Sequence, residues 1–88
     1  MIPEAARLLR TSWSSVSPST ALRIVVDRYN LDSGQTTDVL MATFSNLKTS
    51  HVQAVWNWAQ MRETQRHGGL TDRELDIQLL GLEVAHEA

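Results

Sequence analysis

Residues 71–84 have the sequence TDRELDIQLLGLEV, which fits two different secondary structures. The apolar residues alternate with polar ones, as in a strand with one bulge, at Leu75, Ile77, Leu79, Leu80, Leu82 and Val84. The opening Thr71-Asp72-Arg73-Glu74 instead matches a capping box with two acids in the first helical turn. Gly81 disfavours a helix by about 1 kcal/mol, but no other segment offers a convincing strand for pairing. We therefore predict a helix over 71–87.

Four further segments show the apolar spacing of amphipathic helices. They cover about residues 3–13, 18–30, 36–45 and 49–66. Ser17 followed by Pro18 predicts an N-cap and a proline at the first helical position. Because residues 24–26 are β-branched, a strand is the alternative for the second segment.

Turn signals separate the third and fourth segments from their neighbours. Thr36 or Thr37 is predicted to cap the third helix, and Asn46 to adopt the left-handed conformation of a tight turn. Gly68 and Gly69 end the fourth segment. The sequence thus predicts an all-α fold, a single-domain bundle of four or five short helices over residues 1–88. The alternative is that the helix at 71–87 forms a partly separate C-terminal element.

Composition narrows the class of protein. The chain has 88 residues, of which 42% are hydrophobic and 20% charged, as in an ordinary globular domain. It has no cysteine, which favours a reducing compartment and excludes disulfides. No apolar run approaches the roughly 18–20 residues of a membrane span, and Met1-Ile2-Pro3-Glu4 does not resemble a signal peptide. We expect a soluble cytoplasmic protein with no membrane partner.

Charge is unevenly distributed along the chain. Residues 1–70 hold seven Lys and Arg against five carboxylates, whereas residues 71–88 hold Arg73 against five carboxylates. A solvated helix surface explains this pattern simply. The alternative is that the acidic C-terminal segment covers or competes for a basic surface on a partner.

The last two predicted helices carry apolar residues on two opposed sides. In 49–66, one side has Val52, Val55, Trp56 and Ala59, and the other has Ala54, Trp58 and Met61. In 71–87, Leu75, Leu79 and Leu82 lie opposite Ile77, Leu80 and Val84. A helix in a small monomer needs only one apolar side, so a second side requires another contact.

Both apolar sides of segment 49–66 are buried if this segment is the central helix of the bundle. A terminal helix seldom has neighbours on both sides, so a second chain better explains segment 71–87. Symmetric homodimers are the commonest oligomers, and a homodimer or another protein partner is predicted. The predicted interface has the apolar residues Trp58, Met61, Ile77, Leu80 and Val84 and a charged rim of Glu83 and Glu87.

Residues 36–60 also fit a helix-turn-helix template, which gives a DNA-binding transcriptional regulator as the alternative function. Ala42 falls at the tight inter-helix contact, and Leu47, Val52 and Val55 fall at buried positions. The outward side of the second helix would present Lys48, Thr49, Ser50, His51, Gln53 and Asn57. This side has a single lysine, which neutralises few phosphates, so nucleic acid is the less favoured partner.

No catalytic or metal-binding motif is evident. The histidines His51, His67 and His86 are too scattered for a local metal site, and neither a nucleophile elbow nor a phosphate loop occurs. A small ribonuclease using His51 or His67 with an arginine is the enzymatic alternative. We predict a non-enzymatic adaptor, inhibitor or regulator with no cofactor and no small-molecule substrate. Its size also suits an accessory protein of a phage or mobile element.

Overall fold

A computed structural model describes residues 2–58 and 69–85. These residues form five α-helices: α1 (Ile2–Trp13), α2 (Pro18–Tyr29), α3 (Ser33–Thr43), α4 (Thr49–Trp56) and α5 (Asp72–Gln78). Within the two ranges, β-pairing is limited to isolated bridges, Phe44 with Val84 and Trp58 with Leu70. The predicted small all-α bundle is confirmed.

One hydrophobic core joins the helices. Helix α1 packs against α2 and α3, α3 packs against α4, and α5 packs against α2 and α4. Every helix contributes buried side chains, including Leu9, Leu22, Leu40, Val55 and Leu75. No helix in the described ranges is both long enough and apolar enough to pass through a bilayer.

The start of α3 differs from the prediction. Asp32 is the N-cap: its carboxylate accepts the N–H of Gln35 at 2.7 Å, and Gln35 Oε1 accepts the N–H of Asp32 at 3.1 Å. The predicted boundaries 36–45 and the cap at Thr36 or Thr37 were therefore wrong. The capping box lies inside the turn-rich stretch after α2, where Asn30 ends that helix with a left-handed φ of 50°.

The start of α2 has an unexpected cap. Ser17 precedes Pro18 as predicted, but the Ser17 side chain makes no capping hydrogen bond to the backbone. The N–H of Ser19 instead donates to Oδ1 of Asp76 on α5, at 2.7 Å. A carboxylate from the last helix thus satisfies an otherwise unpaired N–H of the second, which also ties the two helices together.

This arrangement predicts unequal effects of two cap substitutions. Asp76→Ala is expected to lower the free energy of unfolding by about 1–2 kcal/mol, because a helix N-terminus loses its acceptor. Ser17→Ala, the matched control, should cost less than about 0.5 kcal/mol because Ser17 only contacts the Thr20 hydroxyl. Urea unfolding followed by circular dichroism measures both. A larger cost for Ser17→Ala would contradict this assignment.

Helices α4 and α5 are shorter than predicted. Helix α4 ends at Trp56, so a continuous helix over 49–66 was wrong; residues 59–68 lie outside the described part of the chain. Helix α5 has seven residues, 72–78, and does not extend over 71–87. A turn follows at residues 79–81, where Gly81 has a φ of 89°. This left-handed conformation favours glycine and lets the chain leave the helix.

After this turn, the chain returns to the end of α3. The N–H of Ser45 donates to the carbonyl of Glu83 at 3.0 Å, and the N–H of Ala85 donates to the carbonyl of Thr43 at 2.8 Å. Asn46 does not adopt the predicted left-handed conformation. Its side chain donates to the carbonyl of Gly81 at 2.9 Å and accepts the N–H of Glu83 at 2.8 Å. Asn46 therefore fastens the segment that follows α5.

Candidate protein-contact surface

Trp58, a predicted interface residue, lies in the core. Its side chain is 0% exposed, which corrects its assignment to the contact surface. The indole Nε1 donates to Oδ1 of Asp72 at 2.9 Å, and the Arg23 guanidinium lies 5.7 Å from the ring centroid. The N–H of Leu70 donates to the carbonyl of Asn57 at 2.6 Å, which fixes the backbone beside the indole.

Asp72 connects three elements of the fold. Its carboxylate accepts hydrogen bonds from Arg23 on α2 and from Trp58 after α4, and Arg23 also forms an ion pair with it. These bonds, the Arg23 bond first and the Trp58 bond second, lower the pKa of Asp72 against the opposing effect of desolvation. The contacts of Asp72 hold the beginning of α5 against the body of the protein.

The lowered pKa of Asp72 predicts a stability that depends on pH. Because the folded-state pKa lies below the unfolded value of about 4, this contribution is present above pH 4. It is lost as the pH falls through the folded pKa. Urea unfolding of the wild type and Asp72→Asn should show a stability difference at pH 6 that shrinks in acid. A difference constant down to about pH 2 would contradict the ionic role of Asp72.

Trp56 is the most exposed of the three tryptophans. The sequence interpretation placed it on the same side of the helix as Val55, but 45% of Trp56 is exposed, whereas Val55 is buried. The indole Nε1 of Trp56 donates to Oγ1 of Thr37 on α3 at 2.8 Å. For Trp58, the helical projection failed because α4 ends at Trp56, so residue 58 does not continue the rotation of 100° per residue.

Two exposed aliphatic side chains lie at the end of α5, Ile77 in the helix and Leu80 in the turn that follows it. Ile77 is 59% exposed and Leu80 is 71% exposed, whereas Leu75 and Leu79 on the inward side are buried. We call Ile77 and Leu80 the α5 patch. The exposed Ile77 and Leu80 thus contrast with the buried Leu75 and Leu79, but the seven-residue α5 does not carry the two full apolar sides predicted over 71–87.

The remaining residues of the predicted interface have different positions. Val84 is half-buried, packs against the core and bridges to Phe44, so it does not extend the exposed patch. Glu83 is exposed and follows the patch along the chain. Met61 and Glu87 lie outside the described residues.

A second exposed apolar area was missed by the sequence interpretation. Met41 on α3 is 66% exposed and lies one helical turn after Thr37, the hydrogen-bond partner of Trp56. Met41 and Trp56 therefore border the same side of the α3–α4 pair. The spacing contained a signal, because Met41 is rotated away from the side that Leu40 and Phe44 share.

The residues of the DNA-binding alternative are accessible, but their framework differs from the template. Ala42, expected at a tight inter-helix contact, is exposed; Val55 is buried, and Leu47 and Val52 are half-buried. The outward residues Lys48, Thr49, Ser50, Gln53 and Asn57 are exposed. His51 is half-buried, and its Nδ1 accepts the N–H of Lys48 at 2.9 Å, so this imidazole helps to cap α4.

Comparisons with known proteins give no information about the function of this surface. No family model, no curated protein and no solved structure matches the chain. Over residues 2–58 and 69–85, no three His, Asp or Glu side chains are arranged to hold a metal ion. The α5 patch is the predicted site with the most exposed aliphatic side chains.

Proposed function

We propose that this protein is a non-enzymatic interaction module that self-associates through the α5 patch. The observation that supports this function is the exposure of Ile77 and Leu80, three residues apart in the sequence, in α5 and in the turn that follows it. Asp72 and Asp76 both bond to α2, so the patch is held in place before a partner binds. Pre-ordering of this kind reduces the entropy lost on association.

The size of the patch sets the expected strength of association. Burying an exposed leucine or isoleucine side chain contributes roughly 1.5–3 kcal/mol, and a twofold contact buries two such residues from each copy. The loss of translational and rotational freedom offsets much of this gain. A contact centred on so few residues is small. We therefore expect a micromolar dimer that dissociates on dilution.

Charges beside the patch favour a second copy as the partner. Arg73 is exposed and lies one helical turn before Ile77, whereas the exposed Glu83 follows Leu80. An antiparallel twofold arrangement brings Arg73 of one copy near Glu83 of the other, and the reverse pair forms by symmetry. The surface thus has the opposite charges at its two ends that a self-complementary contact requires.

Sedimentation velocity over a dilution series tests this function. The chain mass is 9.9 kDa. The weight-average mass is expected to approach twice this value at high micromolar concentration and to fall toward the monomer mass on dilution. A mass that stays at 9.9 kDa throughout would refute self-association.

The antiparallel arrangement also predicts the effect of reversing charges. Arg73→Glu should weaken the dimer by about three- to tenfold, because it places like charges together at the rim. Adding Glu83→Arg should restore most of the lost affinity, since the pair is re-formed with opposite polarity. Sedimentation equilibrium measures both effects. If the double variant is weaker than Arg73→Glu alone, the antiparallel register is wrong.

A DNA-binding function remains a second proposal, supported by the exposed polar side of α4. Lys48, Thr49 and Ser50 are suited to phosphate contacts, and Gln53 and Asn57 to adenine edges. The exposed Ala42 weakens this proposal because it removes the close helix contact of the template. The proposal requires duplex binding that weakens steeply as the salt concentration rises. Absence of binding at low salt excludes it.

A further inference from the structure

An open groove lies between α1 and the end of α2. Its volume is about 340 Å³, and it is lined by Glu4, Arg7, Leu8, Thr11, Arg28 and Tyr29. This volume is near the lower end of the range for small-molecule sites, about 300–1,000 Å³. The groove is therefore large enough for a ligand built around a single ring.

Two guanidinium groups border this groove. Arg7 and Arg28 are both exposed, and Arg7 interacts electrostatically with Glu4 of the same lining. The guanidinium carbon of Arg28 lies 6.0 Å from the centroid of the Tyr29 ring, within the range of a cation–π contact. A cation–π contact engages the face of the guanidinium, so the N–H groups of Arg28 can still donate to an anion.

The groove also offers apolar contacts. Leu8 and Tyr29 are half-buried, pack against the core and line the groove. The Thr11 hydroxyl donates to the carbonyl of Arg7 at 3.0 Å, which fixes its orientation. Glu4 is the single carboxylate of the lining, so the two arginines leave an excess of positive charge.

We propose that this groove binds a small organic anion, a carboxylate or phosphate attached to an apolar ring. The guanidinium groups of Arg7 and Arg28 hold the anionic group, and Leu8 and Tyr29 contact the ring. Both interactions are needed, because exposed arginines alone bind simple anions weakly in water. The site is on different helices from the α5 patch, so it does not depend on self-association.

Titrations monitored by ¹H–¹⁵N NMR test the chemistry of the ligand. Phenyl phosphate is expected to shift the amide signals of Leu8, Arg28 and Tyr29 with a Kd on the order of 1 mM. Inorganic phosphate and benzyl alcohol should each bind at least about tenfold more weakly, since each supplies half of the interactions. Equal binding of inorganic phosphate, or absence of shifts up to about 20 mM phenyl phosphate, contradicts the proposal.

Variants locate the site. Arg7→Ala and Arg28→Ala should each weaken phenyl phosphate binding by about tenfold, whereas Glu4→Gln should strengthen it by removing a like charge. Arg73→Ala is the matched control, because it removes an exposed arginine outside the groove. A loss for Arg73→Ala equal to that for Arg28→Ala would indicate nonspecific attraction and overturn the proposal. Tighter binding of an acidic peptide than of phenyl phosphate would assign the groove to a protein partner instead.

Discussion

Trp58→Ala is expected to lower the free energy of unfolding by about 3–5 kcal/mol. Trp58 is fully buried, so its removal leaves a cavity in the core and takes the indole donor from Asp72. Small domains have a total stability of about 5–15 kcal/mol. The variant is therefore expected to melt far below the melting temperature of the wild type.

Trp56→Ala is the matched control, because the same residue type is removed two positions earlier. Trp56 is nearly half exposed and has one hydrogen bond, to Thr37. Its loss should cost about 1 kcal/mol. Urea unfolding followed by circular dichroism compares the two variants. Equal costs, or a larger cost for Trp56→Ala, would show that the two tryptophans are placed wrongly.

Leu80→Glu is expected to abolish dimer formation while leaving the fold intact. Leu80 is 71% exposed, so glutamate at this position remains solvated in the monomer. In the proposed dimer, the carboxylate would be buried next to its symmetry mate, which costs several kcal/mol. The expected loss of affinity is at least about 100-fold by sedimentation equilibrium.

Leu79→Glu provides the opposite result at the neighbouring position. Leu79 is 1% exposed and lies in the core, so an unpaired carboxylate there should unfold most of the domain. Circular dichroism separates the two variants, with helical signal retained for Leu80→Glu and lost for Leu79→Glu. Loss of the signal in both would mean that Leu80 supports the core instead of a contact.

Local sequence signals predicted several elements well. The bounds of α1 and α2 agree with the apolar spacing and with Pro18. The capping box at the start of α5 is present, with Thr71 Oγ1 accepting the N–H of Glu74 at 3.2 Å and Glu74 Oε1 accepting the N–H of Thr71 at 3.1 Å. These features depend on residues at most four positions apart, so spacing along the chain is sufficient to find them.

Features that depend on distant contacts were not predictable in this way. The cap of α2 comes from Asp76, and the segment after α5 is held by Asn46. A helical projection assumes a constant rotation per residue, so it misassigned Trp58, which lies after the end of α4. The exposure of Ile77 was predictable because Ile77 lies within one regular helix, whereas Leu80 lies in the turn after the helix, where the projection no longer applies.

The most direct test of the contact surface is an isotope-filtered nuclear Overhauser experiment on a mixture of labelled and unlabelled chains. It detects only proton pairs that belong to different copies. We expect intermolecular signals from the methyl groups of Ile77 and Leu80 to α5 of the second copy. Intermolecular signals confined to Met41 and Trp56, with none from Leu80, would contradict association through the α5 patch.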